Sequence, residues 1–293
     1  MEERMDRRAF VKRAGLAAVG CGVGSSLSDR AASAPEMPTV PVGELTVSRF
    51  IVGGNPFSGQ SHQSGELSNE MLDWYTTDRV KQTLEQAADE GVNTCLARGD
   101  RHIQRLFREY WNEGGRITNW IAQTAPEYES IPRNIKEAAS AGAKGIYIQG
   151  AHVDRLFAGG RLEDVRPWLD EIRERGAAVG VGSHRPEVLR IVQDKGWPAD
   201  FYMQCFYNLS ERNEEYLAED REKAVLTIRQ LEKPTIAFKI LAAGRNDPEE
   251  AFSFAFKNIK ATDAVCVGVF PKHRPREIAQ DAQLTRRYGS WRG

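Results

Sequence analysis

The chain has 293 residues, 41% of them hydrophobic, which is enough for a sizeable core. Lys and Arg number 40 against 41 Asp and Glu, a near-balance that excludes the basic footprint of a nucleic-acid or anionic-membrane binder. No stretch reaches the roughly 20 apolar residues of a membrane span.

The N-terminus stands apart. Asp6-Arg7-Arg8-Ala9-Phe10-Val11-Lys12 is followed by a mild apolar run from Ala14 to Gly24, and Ala32-Ser33-Ala34 precedes Pro35 with the small-x-small pattern of a signal-peptidase site. This order resembles a twin-arginine signal, which implies the twin-arginine export machinery as a partner and a periplasmic mature chain of residues 35–293. A disordered basic tail, or a lipoprotein box at Val19-Gly20-Cys21, are the alternatives. Of four cysteines, Cys21 falls in this segment. Cys95, Cys205 and Cys266 fall in strand candidates far apart in sequence, and read as small buried apolar residues rather than a disulfide framework.

From Val47 onward, strand-like and helix-like segments alternate. Strand candidates are Arg49–Gly53, Asn93–Ala97, Ile117–Gln123, Gly145–Gln149, Ala178–Gly182, Asp200–Phe206, Thr235–Leu241 and Ala264–Val269, mostly short and rich in Val, Ile and aromatics. Helical patterns include Arg79–Glu90, Asp164–Arg175 and Pro248–Lys260. Gly91, Gly115, Gly142, Gly176 and Gly196 stand between a helix and the next strand, where a left-handed C-cap belongs. Eight such units predict an α/β fold of the (β/α)8 TIM-barrel type, which about 250 residues suffice to build. A doubly wound open sheet normally carries a glycine-rich phosphate turn after its first strand; here that strand ends Gly53-Gly54-Asn55-Pro56. Residues 57–77 read as the longest loop, a lid or substrate wall over the C-terminal mouth, with Trp74 and Tyr75 arguing against disorder.

Several stretches resemble the aldo/keto reductases. Gly43–Arg49 followed by Val52-Gly53-Gly54 is similar to the family's N-terminal hairpin and first strand. Val179-Gly180-Val181-Gly182-Ser183-His184 resembles the fifth strand, Gln204-Cys205-Phe206-Tyr207-Asn208 the sixth, and Ile236–Leu241 with Gly244 the seventh. Pro271-Lys272-His273-Arg274 and Arg276-Glu277-Ile278 resemble the loop that grips an adenosine 2′-phosphate. The resemblance implies NADP, held by Ser183, His184 in place of the usual asparagine, Gln204, the Phe238 ring, and Lys272, Arg274 and Arg276. It does not extend to the family's catalytic tetrad of aspartate, tyrosine, lysine and histidine. Leu96, Gln123 and Gln149 stand at the aspartate, lysine and histidine positions, and no tyrosine follows the second strand at the expected distance. The family's carbonyl-reduction mechanism therefore does not carry over.

Polar residues nevertheless gather at the expected strand ends. Lys239 is the first candidate for acid–base or Schiff-base chemistry, with a structural ion pair as the plain alternative; Tyr207 is the second candidate proton donor. Arg98 and Asp100 are candidates to orient an anionic or hydroxylated substrate, or else pair with each other or cap the next helix. Asn55, Gln123, Gln149 and His152 are expected to contact the substrate. His152, Asp154 and His184 invite a metal, but no H-x-H or H-E-x-x-H spacing supports one, and none is expected. The leading reading is an NADP-dependent oxidoreductase with an altered catalytic site acting on a small molecule, with a sugar-like carbonyl or alcohol as the candidate substrate. A lyase or isomerase using Lys239, and a non-catalytic ligand-binding barrel, are the rivals.

Overall fold

A computed structural model describes residues 36–207 and 216–290. A hairpin of β1 (Thr39–Val42) and antiparallel β2 (Leu45–Ser48) comes first. Then come β3 (Phe50–Gly53), α1 (Gly65–Trp74), α2 (Thr77–Asp89), β4 (Thr94–Arg98), α3 (Arg101–Asn112), β5 (Asn119–Gln123), α4 (Ile131–Ser140), β6 (Gly145–Ile148), α5 (Gly150–Ala158), α6 (Arg166–Glu174) and β7 (Ala178–Ser183). The chain continues through α7 (Pro186–Asp194), β8 (Phe201–Cys205), α8 (Ala218–Gln230), β9 (Thr235–Phe238), α9 (Pro248–Asn258), β10 (Ala264–Gly268) and α10 (Glu277–Gly289). Strands β3 to β10 form a closed barrel in sequence order, with β10 returning to β3, and every pair is parallel. The fold is the (β/α)8 barrel that the alternating pattern predicts.

Strand periodicity sorts the apolar residues into two layers. Ile51, Leu96, Ile121, Tyr147, Phe201, Met203 and Ile236 fill the barrel, while their strand neighbours Val52, Cys95, Trp120, Ile146, Tyr202 and Ala237 pack outward under the helices. Val40, Val42 and Val47 of the hairpin join the inner layer. The Thr46 carbonyl accepts from the side chains of Asn93 and Asn119, at the starts of β4 and β5, so the hairpin closes the N-terminal end. Arg49, buried, fastens the same end. Its guanidinium donates to the carbonyls of Asp263 at 2.8 Å, Lys260 at 3.1 Å, and Gly289, and lies 4.8 Å over the Phe256 ring.

Two local expectations need correction. Residues 57–77 are not an irregular loop: they hold part of a 3₁₀ turn, Pro56–Ser58, and then α1. The Ser64 hydroxyl accepts from Leu67 N–H, capping that helix, and Thr76 caps α2 in the same way. The left-handed cap after α3 is Gly114, at φ 88, rather than Gly115. Asn208 lies outside the described residues.

Candidate active site

The C-terminal ends of the barrel strands open into a cavity of about 1050 Å³. That is the end where barrel enzymes carry their chemistry.

One wall carries an ordered proton-transfer pair. Asp154, on α5, accepts three hydrogen bonds: from Ser183 Oγ at 2.5 Å, from His184 N–H at 3.1 Å and from His184 Nδ1 at 2.8 Å. Both side chains are 17% exposed, and both line the cavity. A carboxylate on Nδ1 holds the proton there and leaves Nε2 as the basic nitrogen. Nε2 takes no hydrogen bond from the described residues.

Below it lies Tyr147, an inward residue of β6. Its hydroxyl has no hydrogen-bond partner among the described residues. The bed for its ring is built into β7. A Cβ on Gly180 would stand 2.5 Å from Tyr147 Cβ, and one on Gly182 would stand 3.1 Å from the ring. Burial pushes the phenol well above its ordinary pKa, against a smaller opposing pull from Arg98. Tyr147 is therefore a donor, not a base. Arg98, Gln123 and Tyr147 form one lateral row, since Arg98 pairs with Gln123 in the ladder and Gln123 with Tyr147. Arg98 donates to Asp100 at 3.2 Å and also to Glu127, so two carboxylates neutralise it. It is a fixed hydrogen-bonding fork rather than a spare positive charge.

The β9 end is strained. Lys239, Ala242 and Ala243 take positive φ of 59°, 47° and 55°, and His62 across the seam takes 54°. Left-handed residues other than glycine cost free energy and concentrate at functional sites. Lys239, Ala243 and His62 all line the cavity.

Asn55, Arg98, Gln123, Gln149, His184, Phe238, Lys239 and Arg274 are thus gathered on one cavity. Other residues singled out in the sequence lie elsewhere. Asp100 is off the wall, capping α3 and pairing with Arg98, so both structural alternatives for it hold. Tyr207 is buried in the outer layer with its hydroxyl accepting from Asn246 at 3.0 Å. His152 turns away to meet Trp168 edge-on at 5.3 Å, and burial lowers its pKa, as does Arg155. Arg276 precedes α10 and is not on the wall. Among the described residues no three His, Cys, Asp or Glu side chains are grouped to hold a metal.

The nicotinamide cradle that the resemblance implies is not assembled. Ser183 is committed to Asp154 and to Arg185 N–H. Gln204 lies between the cavity residues Met203 and Cys205 and so faces away from the cavity; its Nε2 donates to the Cys205 carbonyl, and its buried Oε1 has no partner among the described residues. Lys272 and His273 both contact the Glu70 carboxylate, at 2.6 and 2.8 Å, which holds that carboxyl below its ordinary pKa. Phe238, His184 and Arg274 are on the wall as expected, with the Phe238 ring 5.6 Å from His184.

Tyr147 and Glu277 were not legible as site residues in the sequence. Glu277 lines the cavity, accepts from Phe270 N–H, and is pushed by burial to about 7. A glutamate in the first turn of a helix reads as a charge complementing the dipole, and nothing local to it signals burial.

No family profile and no curated protein sequence matches the chain. Among solved structures, a Pseudomonas aeruginosa protein provisionally named an aldo-keto reductase aligns at TM-score 0.57 and 19% identity, over 84% of this chain and 94% of the other. A second structure of that description, from the same organism, aligns at TM-score 0.58 and 18% identity over 85% and 95%. An N-acetylneuraminic acid synthetase from Leptospira borgpetersenii aligns at 0.53 and 12% over 86% and 89%. These likenesses establish the barrel, and at such identities they establish the fold alone.

Proposed function

We propose that the chain is an enzyme that moves a proton on a small polar substrate, as isomerases and lyases of carbonyl or hydroxyl compounds do. The Asp154–His184 pair on the cavity wall carries this reading: a carboxylate-oriented imidazole whose Nε2 takes no hydrogen bond from the described residues is a general base. Tyr147 supports it by offering a protonated hydroxyl to the oxygen on which charge develops. Lys239, on the strained edge, supplies a second donor, and Asn55, Gln123 and Gln149 orient hydroxyl or carbonyl groups. Proton NMR in D2O with a panel of hydroxy-aldehydes, hydroxy-ketones and 2-keto acids tests the proposal. Wild-type protein should wash deuterium into a C–H beside a carbonyl, and His184→Gln should not. No exchange on the whole panel, or equal exchange by the variant, removes the proposal.

An NADP-dependent oxidoreductase is the second reading, favoured by the Phe238 ring beside His184. Saturable binding of NADPH in a fluorescence titration would support it. The export reading rests on Arg7-Arg8 and the apolar run after them. It would place the activity in the periplasm. No helix among the described residues is long and apolar enough to cross a membrane.

A further inference from the structure

We infer that residues 60–71 form a hinged flap on the cavity, latched shut by the Glu70 carboxylate on Lys272 and His273; the inference rests on the reading that this cavity is the site. Leu67, Glu70 and Met71 of α1 line the cavity, so lifting α1 removes a wall. The helix is fixed unequally along its length. Its C-terminal end is anchored among aromatics: Trp74 meets Phe270 at 5.5 Å between ring centroids, Tyr75 meets Phe57 at 4.8 Å, and the Tyr75 hydroxyl donates to the Val269 carbonyl at 2.6 Å.

The stretch before that anchor packs Met71 and Leu67 on the core and otherwise crosses to its neighbours through polar contacts. Gln63 donates to the Ala243 carbonyl at 2.5 Å, Arg245 donates to the His62 carbonyl at 3.3 Å, and Lys272 and His273 hold Glu70. Water reaches the latch, since the Glu70, Lys272 and His273 side chains are 32%, 41% and 56% exposed. The seam is also under strain, because His62 and Ala243 sit in left-handed backbone on its two sides. Gly59, at φ 65 before the flap, supplies a joint that other residues would resist.

The same lysine that the sequence resemblance assigns to a nucleotide phosphate therefore serves an internal carboxylate. A partly exposed ion pair favours one state by a factor of about five at most, so the latch is one that thermal motion opens.

The fold carries its own reporters for the test. Cys205 and Cys266 line the cavity, whereas Cys95 is buried in the outer layer. Glu70→Gln is compared with wild type by amide hydrogen exchange and by N-ethylmaleimide labelling, each read by peptide mass spectrometry. Amides of residues 65–71 should exchange about three- to fivefold faster in the variant, and Cys205 and Cys266 should label faster by a similar factor. Cys95 and the amides of α2 should be unchanged, and 1 M NaCl should move wild type toward the variant. Unchanged exchange in α1 overturns the inference. So does faster exchange without faster labelling of the cavity thiols, or Cys95 accelerating equally, which marks global opening. None of these readouts depends on turnover, so a failed flap and a failed proton-transfer proposal are distinguishable.

Discussion

Glu277→Gln should make the protein more stable above neutral pH. The Glu277 carboxyl is buried beside the cavity, and its pKa rises from 4.5 to about 7 because burial disfavours its charge, an effect that the Phe270 N–H and Arg274 only partly offset. The folded state therefore holds this proton more tightly than the unfolded state. Below about pH 4.5 both states are protonated and no cost arises; above about pH 7 both are ionised and the full cost is present. Moving a carboxyl from 4.5 to about 7 is worth about 3 kcal/mol, so this group alone removes up to that much stability as pH rises through the window. A glutamine keeps the oxygen that accepts from Phe270 N–H and carries no charge to desolvate. Urea unfolding at intervals from pH 4 to 8 should show the variant matching wild type at pH 4 and exceeding it by about 3 kcal/mol at pH 8. Asp281, raised by burial and by Glu277, should steepen the remaining slope, and Asp281→Asn in the same background should flatten it. Parallel stability curves for wild type and Glu277→Gln would refute the reasoning.

Other consequences are equally direct. A Cβ on Gly180 would stand 2.3 Å from Phe201 Cζ and 2.5 Å from Tyr147 Cβ, so Gly180→Ala should cost about 1–3 kcal/mol in urea unfolding. Arg49→Met strips the donors from three backbone carbonyls at the closed end and should cost about 3 kcal/mol or more in the same assay. Arg7→Lys with Arg8→Lys should retain the protein in the cytoplasm on cell fractionation, whereas wild type should reach the periplasm.

The barrel was legible because each strand is a short run rich in β-branched and aromatic residues, and five of the eight are set off by a glycine that no helix or strand prefers. Helix α1 carries a helical signal that its polar beginning masks. Leu67, Met71 and Trp74 repeat at helical spacing behind the cap at Ser64. The site was legible only in part, since a strand residue's direction depends on register. Gln149, Gln123 and Arg98 were placed on the cavity from their strand ends. Ser183 and Gln204 face away from it, because the inward positions of β7 and β8 belong to Gly182, Met203 and Cys205. Tyr147 needed the glycines of another strand to make its ring bed. His152 and Asp154 differ by two positions on α5, and only the second turns to the mouth. Lys272 meets its partner Glu70 across 202 positions, which no local pattern shows.

The proton-transfer account depends most on how His184 is protonated. Long-range proton–nitrogen NMR correlation on uniformly labelled protein reads this at neutral pH, with His184→Gln supplying the assignment. The expected result is the tautomer with its proton on Nδ1, shifting to a mixture of tautomers in Asp154→Asn. A wild-type ring that carries its proton on Nε2, or that ignores the loss of the Asp154 charge, would contradict the account.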